Sequence, residues 1–255
     1  MSAATLTRPA ISSNDSAVLD HLSVSSIREM VQCPRRFHYH RVLKAEPEQI
    51  GAALVFGVAM HEALHAIHDA ALAGSADDRL AVFHKHWKTA VEGPVPVMFG
   101  KDKADALIAK AEGLLAAYTL PPGTVLAVEE SFRIELPELP LPLVGRVDLV
   151  MAEDERTIVY DAKTTAGSTL GDLDSVGFQL GVYRLVWTEA DTAAITLAKT
   201  VKPRIANVPV TPMPEARVLR HINEVHAAIV AGVRFANRGW ACGTCAFAKR
   251  CHADG

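Results

Sequence analysis

Nowhere does this 255-residue chain run to the roughly 18 consecutive apolar residues that a membrane-spanning helix needs, so no such helix is expected. Its start, MSAATLTRPAISSNDSAVLD, lacks the basic and apolar regions of a secretory signal and reads as a polar, flexible leader. A large excess of one charge is also missing. The net charge of −3 argues against coating nucleic acid by bulk charge, yet leaves room for a local basic groove. No internal repeat or low-complexity tract breaks the chain. Cysteine is scarce: Cys33, Cys242, Cys245 and Cys251 are all there is. With no secretory signal, the expected compartment is a reducing cytoplasm, bacterial or phage-infected. That disfavours disulfides and favours metal binding.

What is present is an ordinary globular composition, 49% hydrophobic and 22% charged, on a chain long enough to bury a sizeable core. Residues 23–44 read as a helix opened by serine capping in SVSSIREM and interrupted at Pro34. Residues 52–73 are apolar at helical spacing, and 78–91 and 102–118 suggest two further helices. After Pro121-Pro122-Gly123 the character changes. TVLAVEESFRIEL, LPLVGRVDLVMA and RTIVYDAKTT are strand-like, with a tight hairpin turn expected at Asp154-Glu155. A helix over about 172–188, a strand in AAITLAKTV, a proline-bearing loop and a helix over about 215–236 follow. The order predicts an α/β core, not a regular βαβ repeat. The expected parts are a leader (1–22), an N-terminal helical region with Cys33 and His61 (23–120), a core (121–236) and a cysteine-rich segment packed with Cys33 (237–255).

If GRVDLV and VYDAKTT are neighbouring antiparallel strands, alternation puts Asp161 and Lys163 on one face, opposite Tyr160, Ala162 and Thr164. Val147, Leu149 and Met151 alternate with Arg146, Asp148 and Val150. Should Asp148 share the face of Asp161 and Lys163, two carboxylates and an ammonium converge. Paired carboxylates are hard oxygen donors of the type that holds Mg²⁺ or Mn²⁺, and a lysine beside them can orient a water or offset phosphoryl charge. Taken alone, D-x-K more often marks a surface salt bridge. His61 is a candidate third ligand, lying on an otherwise apolar helix four residues after Gly57. His61, His65 and His68 form one helical stripe, and His61-Glu62-x-x-His65 matches the letters of the zinc-protease HExxH motif. No clear third zinc ligand follows it, and His65 and His68 read as partly exposed residues without a metal role. Gln179 and Tyr183, four apart on a helix, present an amide and a phenol on one face.

Cys242-x-x-Cys245 with Cys251 makes a compact three-ligand loop, and Cys33 would complete four. Zn²⁺ and a 4Fe–4S cluster fit that count equally well, and spacing does not choose between them. If all four meet, the two ends of the chain are pinned together.

The ordered set SVSSIREMVQCPRRFHY, GVAMHEALH, GRVDLV, YDAKTT, QLGVYRLVW and CGTCAFAKRC resembles the RecB/Cas4-like branch of the PD-(D/E)XK nucleases, over residues 23–251. The resemblance implies a restriction-endonuclease-like core, a mixed sheet flanked by helices. It implies that His61, Asp148 and Asp161 hold the metal with the Ala162 carbonyl, and that Lys163 is the catalytic lysine. Gln179 and Tyr183 would match a Q-x-x-x-Y motif that contacts DNA or supports the site. Cys33, Cys242, Cys245 and Cys251 would hold a 4Fe–4S cluster. Asp161 departs from the glutamate of many relatives. The expected activity is Mg²⁺- or Mn²⁺-dependent hydrolysis of DNA, single-stranded or at ends, with Arg35, Arg36, Arg146, Lys199, Lys202 and Arg204 supplying local positive charge to the cleft. The helices before Pro121 are expected to cover the site and force single-strand threading. Partners in recombination, replication or CRISPR adaptation are all compatible with the resemblance. The rival readings are a non-catalytic DNA-binding or adaptor module and a zinc protease built on His61, Glu62 and His65.

Overall fold

The computed structural model describes residues 19–166, 173–199 and 204–254. Most of the expected leader, and Lys202, lie outside them. β1 (Leu22–Ser23) passes directly into α1 (Val24–Gln32). Ser23 caps that helix: its hydroxyl accepts from the Ser26 N–H at 3.1 Å, and Ser26 Oγ accepts from the Ser23 N–H at 2.8 Å. Pro34 ends the first helical run as expected, leaving Cys33 extended at the joint before α2 (Pro34–Phe37) and a π-helical turn over His38–Val42.

β2 (Ile50–Gly51) leads into α3 (Ala52–Ala73), then α4 (Arg79–Val91), β3 (Val97–Met98) and α5 (Ala104–Ala117). α3 is the expected long helix, with Gly57 its one glycine, and stops at Gly74, whose φ of +65° is open to glycine. β4 (Thr124–Ile134), β5 (Leu143–Glu153) and β6 (Arg156–Thr165) form an antiparallel meander, closed by the predicted turn with Asp154 left-handed at φ +53°. α6 (Leu173–Tyr183) then crosses to β7 (Asp191–Ala198), which pairs parallel with β6. β8 (Arg204–Pro209), α7 (Glu215–Val230), a 3₁₀ turn over Trp240–Thr244 and α8 (Ala248–Ala253) complete the described chain.

Two expectations need correction. β8 lies where a loop was expected, because RIANVP has little alternation of its own; its strand state comes from pairing with β7. Pro209 is tolerated there as the last residue of an edge strand. α6 and α7 are also shorter than expected, α7 giving way at Ala231 to Gly232 with φ +67°.

The sheet runs β1-β5-β6-β7-β8, with β4 on the other edge of β5. Leu149, Met151, Tyr160, Ala162, Ile195 and Leu197 pack on one face against α3, α4 and α5. Val150, Val159 and Ala194 pack on the other face against α6, and α1 and α7 join a further apolar cluster there. Helices therefore cover both faces of a mixed sheet, as expected of the fold class.

Candidate active site

The site arises where two strands part. Leu149↔Tyr160 is the last pair of β5 with β6 on this side, and the next would join Asp148 to Asp161. Instead β6 continues along β7 as far as Thr165↔Ala198, while the freed edge of β5 meets β1 at Leu143 and Val144. The Asp148 carboxylate fills the split: its Oδ2 accepts the Ala162 N–H at 2.8 Å, replacing a ladder bond. Asp148 thus lies at the sheet's open edge rather than out on one face. The alternation read along this strand breaks at the same place, since Val147 joins the cluster of Val150 and not that of Leu149 and Met151.

His61 reaches the split from α3, its Nδ1 3.9 Å from Asp148 Oδ2. From the α6 side come Asp161 and Lys163. Asp161 is fully buried, and its Oδ1 accepts from Lys163 Nζ at 2.7 Å. Lys163 Nζ also donates to Gln179 Oε1 at 3.0 Å. Gln179 Nε2 donates in turn to the Tyr183 hydroxyl at 2.7 Å, which fixes the amide so that its oxygen faces the lysine. Burial, then the charges of Asp148 and Asp161, hold the Tyr183 phenol protonated well above its ordinary range. Burial, with Asp161 second, pushes the Asp148 carboxyl up to about 6, against the pull of His61, Lys163 and the Ala162 N–H.

One residue here was not anticipated. Ligand atoms of His61, Asp148 and Glu129 lie within 4.8 Å of one another, the only such group of three among the described residues. Glu129 stands on β4 across from Asp148, with its φ at +48°, a conformation costly for a side-chain-bearing residue. The twist is local to Glu129: the pairs on either side, Val128↔Leu149 and Glu130↔Val147, stay in register, and the one register shift of β4 lies upstream between Val125 and Ala127. Arg146 Nη1 donates to the Glu129 carboxylate at 2.9 Å. In sequence, Glu129 and Glu130 are indistinguishable acids on a strand; nothing but the backbone twist separates them. Asp161 stands beside this group, tied to Lys163.

The donors fit a divalent cation. The three gathered ligand atoms come from two carboxylates and an imidazole, and the buried Asp161 Oδ2 has no hydrogen-bond partner. The HExxH letters do not make a site: His65 Nε2 pairs with Asp69 at 2.9 Å, and Glu62 faces His86 at 3.9 Å. His68 is buried rather than partly exposed, its Nε2 2.8 Å from the Tyr118 hydroxyl.

The N-terminal helical region and the C-terminal segment lie against each other. Glu48 N–H donates to the Ala246 carbonyl at 2.8 Å, Gln49 Nε2 to the Cys245 carbonyl at 3.0 Å, and the Glu48 carboxylate accepts from the Lys249 and Arg250 N–H groups. Cys33, Cys242, Cys245 and Cys251 line one small cavity of about 40 Å³, none of them in a disulfide. The basic residues expected at the cleft are dispersed. Arg36 is bound to Glu29 at 3.0 Å, Arg35 Nε donates to the Arg234 carbonyl, Lys199 Nζ lies 4.8 Å over the Phe56 ring, and Arg204 opens β8.

A mixed sheet flanked by helices, with acids, a histidine and a lysine gathered at a strand split, defines the class as a nuclease of restriction-endonuclease-like fold. The model of the PD-(D/E)XK nuclease superfamily matches residues 21–252, nearly the whole chain, and the chain belongs to that superfamily. Its members use divalent metal ions. No curated protein matches the chain. Among solved structures, it is similar to the Eubacterium rectale protein named "Putative exonuclease", at 13% identity and TM-score 0.56, over 100% of this chain and 94% of that one. It is also similar to SSO0001, at 16% identity and TM-score 0.48, over 92% of this chain and 86% of that one. No described helix is long and apolar enough to cross a membrane.

Proposed function

We propose that this nuclease hydrolyses DNA, as a RecB/Cas4-like exonuclease acting on single strands or ends. The observation that carries this reading is the strand split itself, where His61, Glu129 and Asp148 gather beside the Asp161–Lys163 pair. His61, Asp148 and Asp161 would hold Mg²⁺ or Mn²⁺ with the Ala162 carbonyl, and Glu129 joins them. A strand residue's C=O leaves on the same edge as its N–H, so the Ala162 carbonyl faces the split toward Asp148. When bound, the cation lowers the pKa of water and screens charge on the phosphate.

The chain's own groups do the positioning. Lys163 spends two N–H groups on Asp161 and Gln179, leaving one to direct a water in line at phosphorus or to meet developing charge on a phosphate oxygen. Gln179, braced by Tyr183, keeps the ammonium from swinging away. In this reading residues 121–236 are the nuclease core, and 23–120 supply His61 and Cys33 and restrict entry to a threaded strand. Residues 237–255 close on Cys33 around a 4Fe–4S cluster, whose ligands would be the four cysteines that share one cavity.

End-labelled single- and double-stranded DNA, given to anaerobically purified protein with Mn²⁺, Mg²⁺ or EDTA, tests this. Metal-dependent loss of label is expected, falling about 10²–10⁴-fold in Lys163→Ala and in Asp148→Ala. Binding without cutting, alike in all three proteins, would replace it with a non-catalytic DNA-binding module. Iron and acid-labile sulfide are expected in the same preparation; zinc alone would overturn the cluster. Equal degradation of closed circular and linear single strands would remove threading.

A further inference from the structure

We propose that a groove beside the candidate active site, between α1 and α7, binds the phosphate backbone of a single nucleic-acid strand. The inference rests on the nuclease reading and adds the path the strand takes. The groove encloses about 560 Å³. Arg28 of α1 stands on one wall and Arg217 and Arg220 of α7 on the other. Among the described residues, none of these three guanidinium groups is in an ion pair, although Asp174 and Glu224 also line the groove. Elsewhere the structure spends its arginines: Glu29 holds Arg36 and Arg41, Asp77 holds Arg79, and Glu129 holds Arg146. Three exposed guanidinium groups facing one concavity, none held by a carboxylate, are placed to meet phosphate oxygens.

Arg28 makes the groove continuous with the site. Its Nη1 lies 3.5 Å from Gln179 Oε1, the same oxygen that accepts from Lys163 Nζ at 3.0 Å. A strand with a phosphate at Lys163 would therefore meet Arg28 next, and Arg217 and Arg220 beyond. The floor is apolar, with Phe178 buried and His221 edge-on to it at 4.9 Å between ring centroids. A groove of this volume has room for successive nucleotides of one strand. The chain's slight negative charge is no obstacle, because a local cluster governs local attraction.

The test is equilibrium binding of a fluorescein-labelled oligothymidylate of about 20 nucleotides, long enough to span such a groove. Full-length protein is used in EDTA, by fluorescence anisotropy, over a series of salt concentrations. Wild type is expected to bind. The double variant Arg217→Ala/Arg220→Ala is expected to bind at least about tenfold more weakly, and its plot of log K against log salt to be shallower by about 1.4, or about 0.7 for each lost phosphate contact on a single strand. Arg156→Ala, at the far end of β6 where it faces Asp191, is expected to bind as wild type does. Unchanged affinity and slope in the double variant, an equal loss in Arg156→Ala, or no binding by wild type would each overturn the groove. Adding Mn²⁺ to the same wild-type protein separates the two readings. Cutting with binding that ignores Arg217 and Arg220 removes the groove and keeps the nuclease. Arginine-dependent binding without cutting does the reverse.

Discussion

At the scale of single residues, the site depends on one backbone conformation that favours no side chain. Glu129 holds φ at +48°, a region that costs an L residue about 1–2 kcal/mol. The cost is offset if the twist serves to aim the carboxylate at His61 and Asp148. Two variants separate backbone from side chain. Glu129→Gly and Glu129→Ala both lack the carboxylate and the Arg146 contact, and both are expected to lose roughly ten- to hundredfold in Mn²⁺ affinity by calorimetry. Glu129→Gly is nonetheless expected to be the more stable in urea, by about 1 kcal/mol, because glycine tolerates the twist. If alanine is as stable as glycine, the strain is not there. Four of the site's side chains, His61, Asp148, Asp161 and Lys163, were legible from letters and spacing, and the structure brings them to one split. Glu129 was not, because its role depends on a twist that leaves no trace in the identity of the residue. Arg146, expected to meet DNA or to supply cleft charge, instead donates to Glu129.

At the scale of elements, α3 and α6 hold the site from opposite sides, and their glycines differ in kind. A Cβ on Gly57 would rest 3.5 Å from Thr164 Oγ1, an ordinary contact within α3. Gly57→Ala is expected to stabilise the protein by about 0.5–1 kcal/mol through helix propensity. A Cβ on Gly181 would come within 2.7 Å of the Met213 carbonyl and Val218 Cγ2, so α6 must move off α7. Gly181→Ala is expected to cost about 1–3 kcal/mol, and nuclease activity should fall with it, because α6 carries Gln179 and Tyr183. Thermal melts and cleavage rates of the two variants check both signs. α3 also carries a pH response. His68 is buried against Tyr118, and burial, with His65 and His61 adding, lowers its pKa from 6.5 to about 4. Between those values the unfolded chain takes the proton and the folded chain does not, so stability falls as pH drops from about 6.5 to 4 and is flat above. The loss sums to about 3 kcal/mol, and should be absent in His68→Phe when urea stabilities at pH 7.5 and 4.5 are compared with those of wild type. The helix itself was readable because 22 residues with no proline and a single glycine leave little else to form. The inward turn of His68 was not, since a stripe drawn at helical spacing does not say which of its edges meets Tyr118. β8 escaped for a similar reason: its state is set by its neighbour β7, not by its own pattern.

At the scale of the whole molecule, the two ends of the chain hold each other. Glu48 caps the Lys249 and Arg250 N–H groups, Arg250 stacks over Tyr39 at 5.6 Å, and Tyr39 packs on Phe247 with ring centroids 5.8 Å apart. The tail itself is thin: α8 has no buried residue, and one short helix cannot bury enough apolar area to dock alone. A cluster or metal on Cys33, Cys242, Cys245 and Cys251 would supply what is missing. It joins residues 209 positions apart, Cys33 to Cys242, and a cross-link over a loop of that length removes about 5 kcal/mol of chain entropy from the unfolded state. At about 2–4 °C per kcal/mol for a domain of this size, stripping the bound group should lower the melting temperature by about 10–20 °C. Cys33→Ser should do the same and should release residues 237–254 to rapid hydrogen exchange, with β5 and β6 still protected. The apolar clusters that hold the active-site strands include no residue of the tail, so a wholesale loss of protection across the sheet would mean that the ends stabilise the core directly and not as a clasp. An unchanged melting temperature and an unchanged tail would mean that hydrogen bonds from Glu48 and Gln49 suffice, and that the four thiols hold nothing.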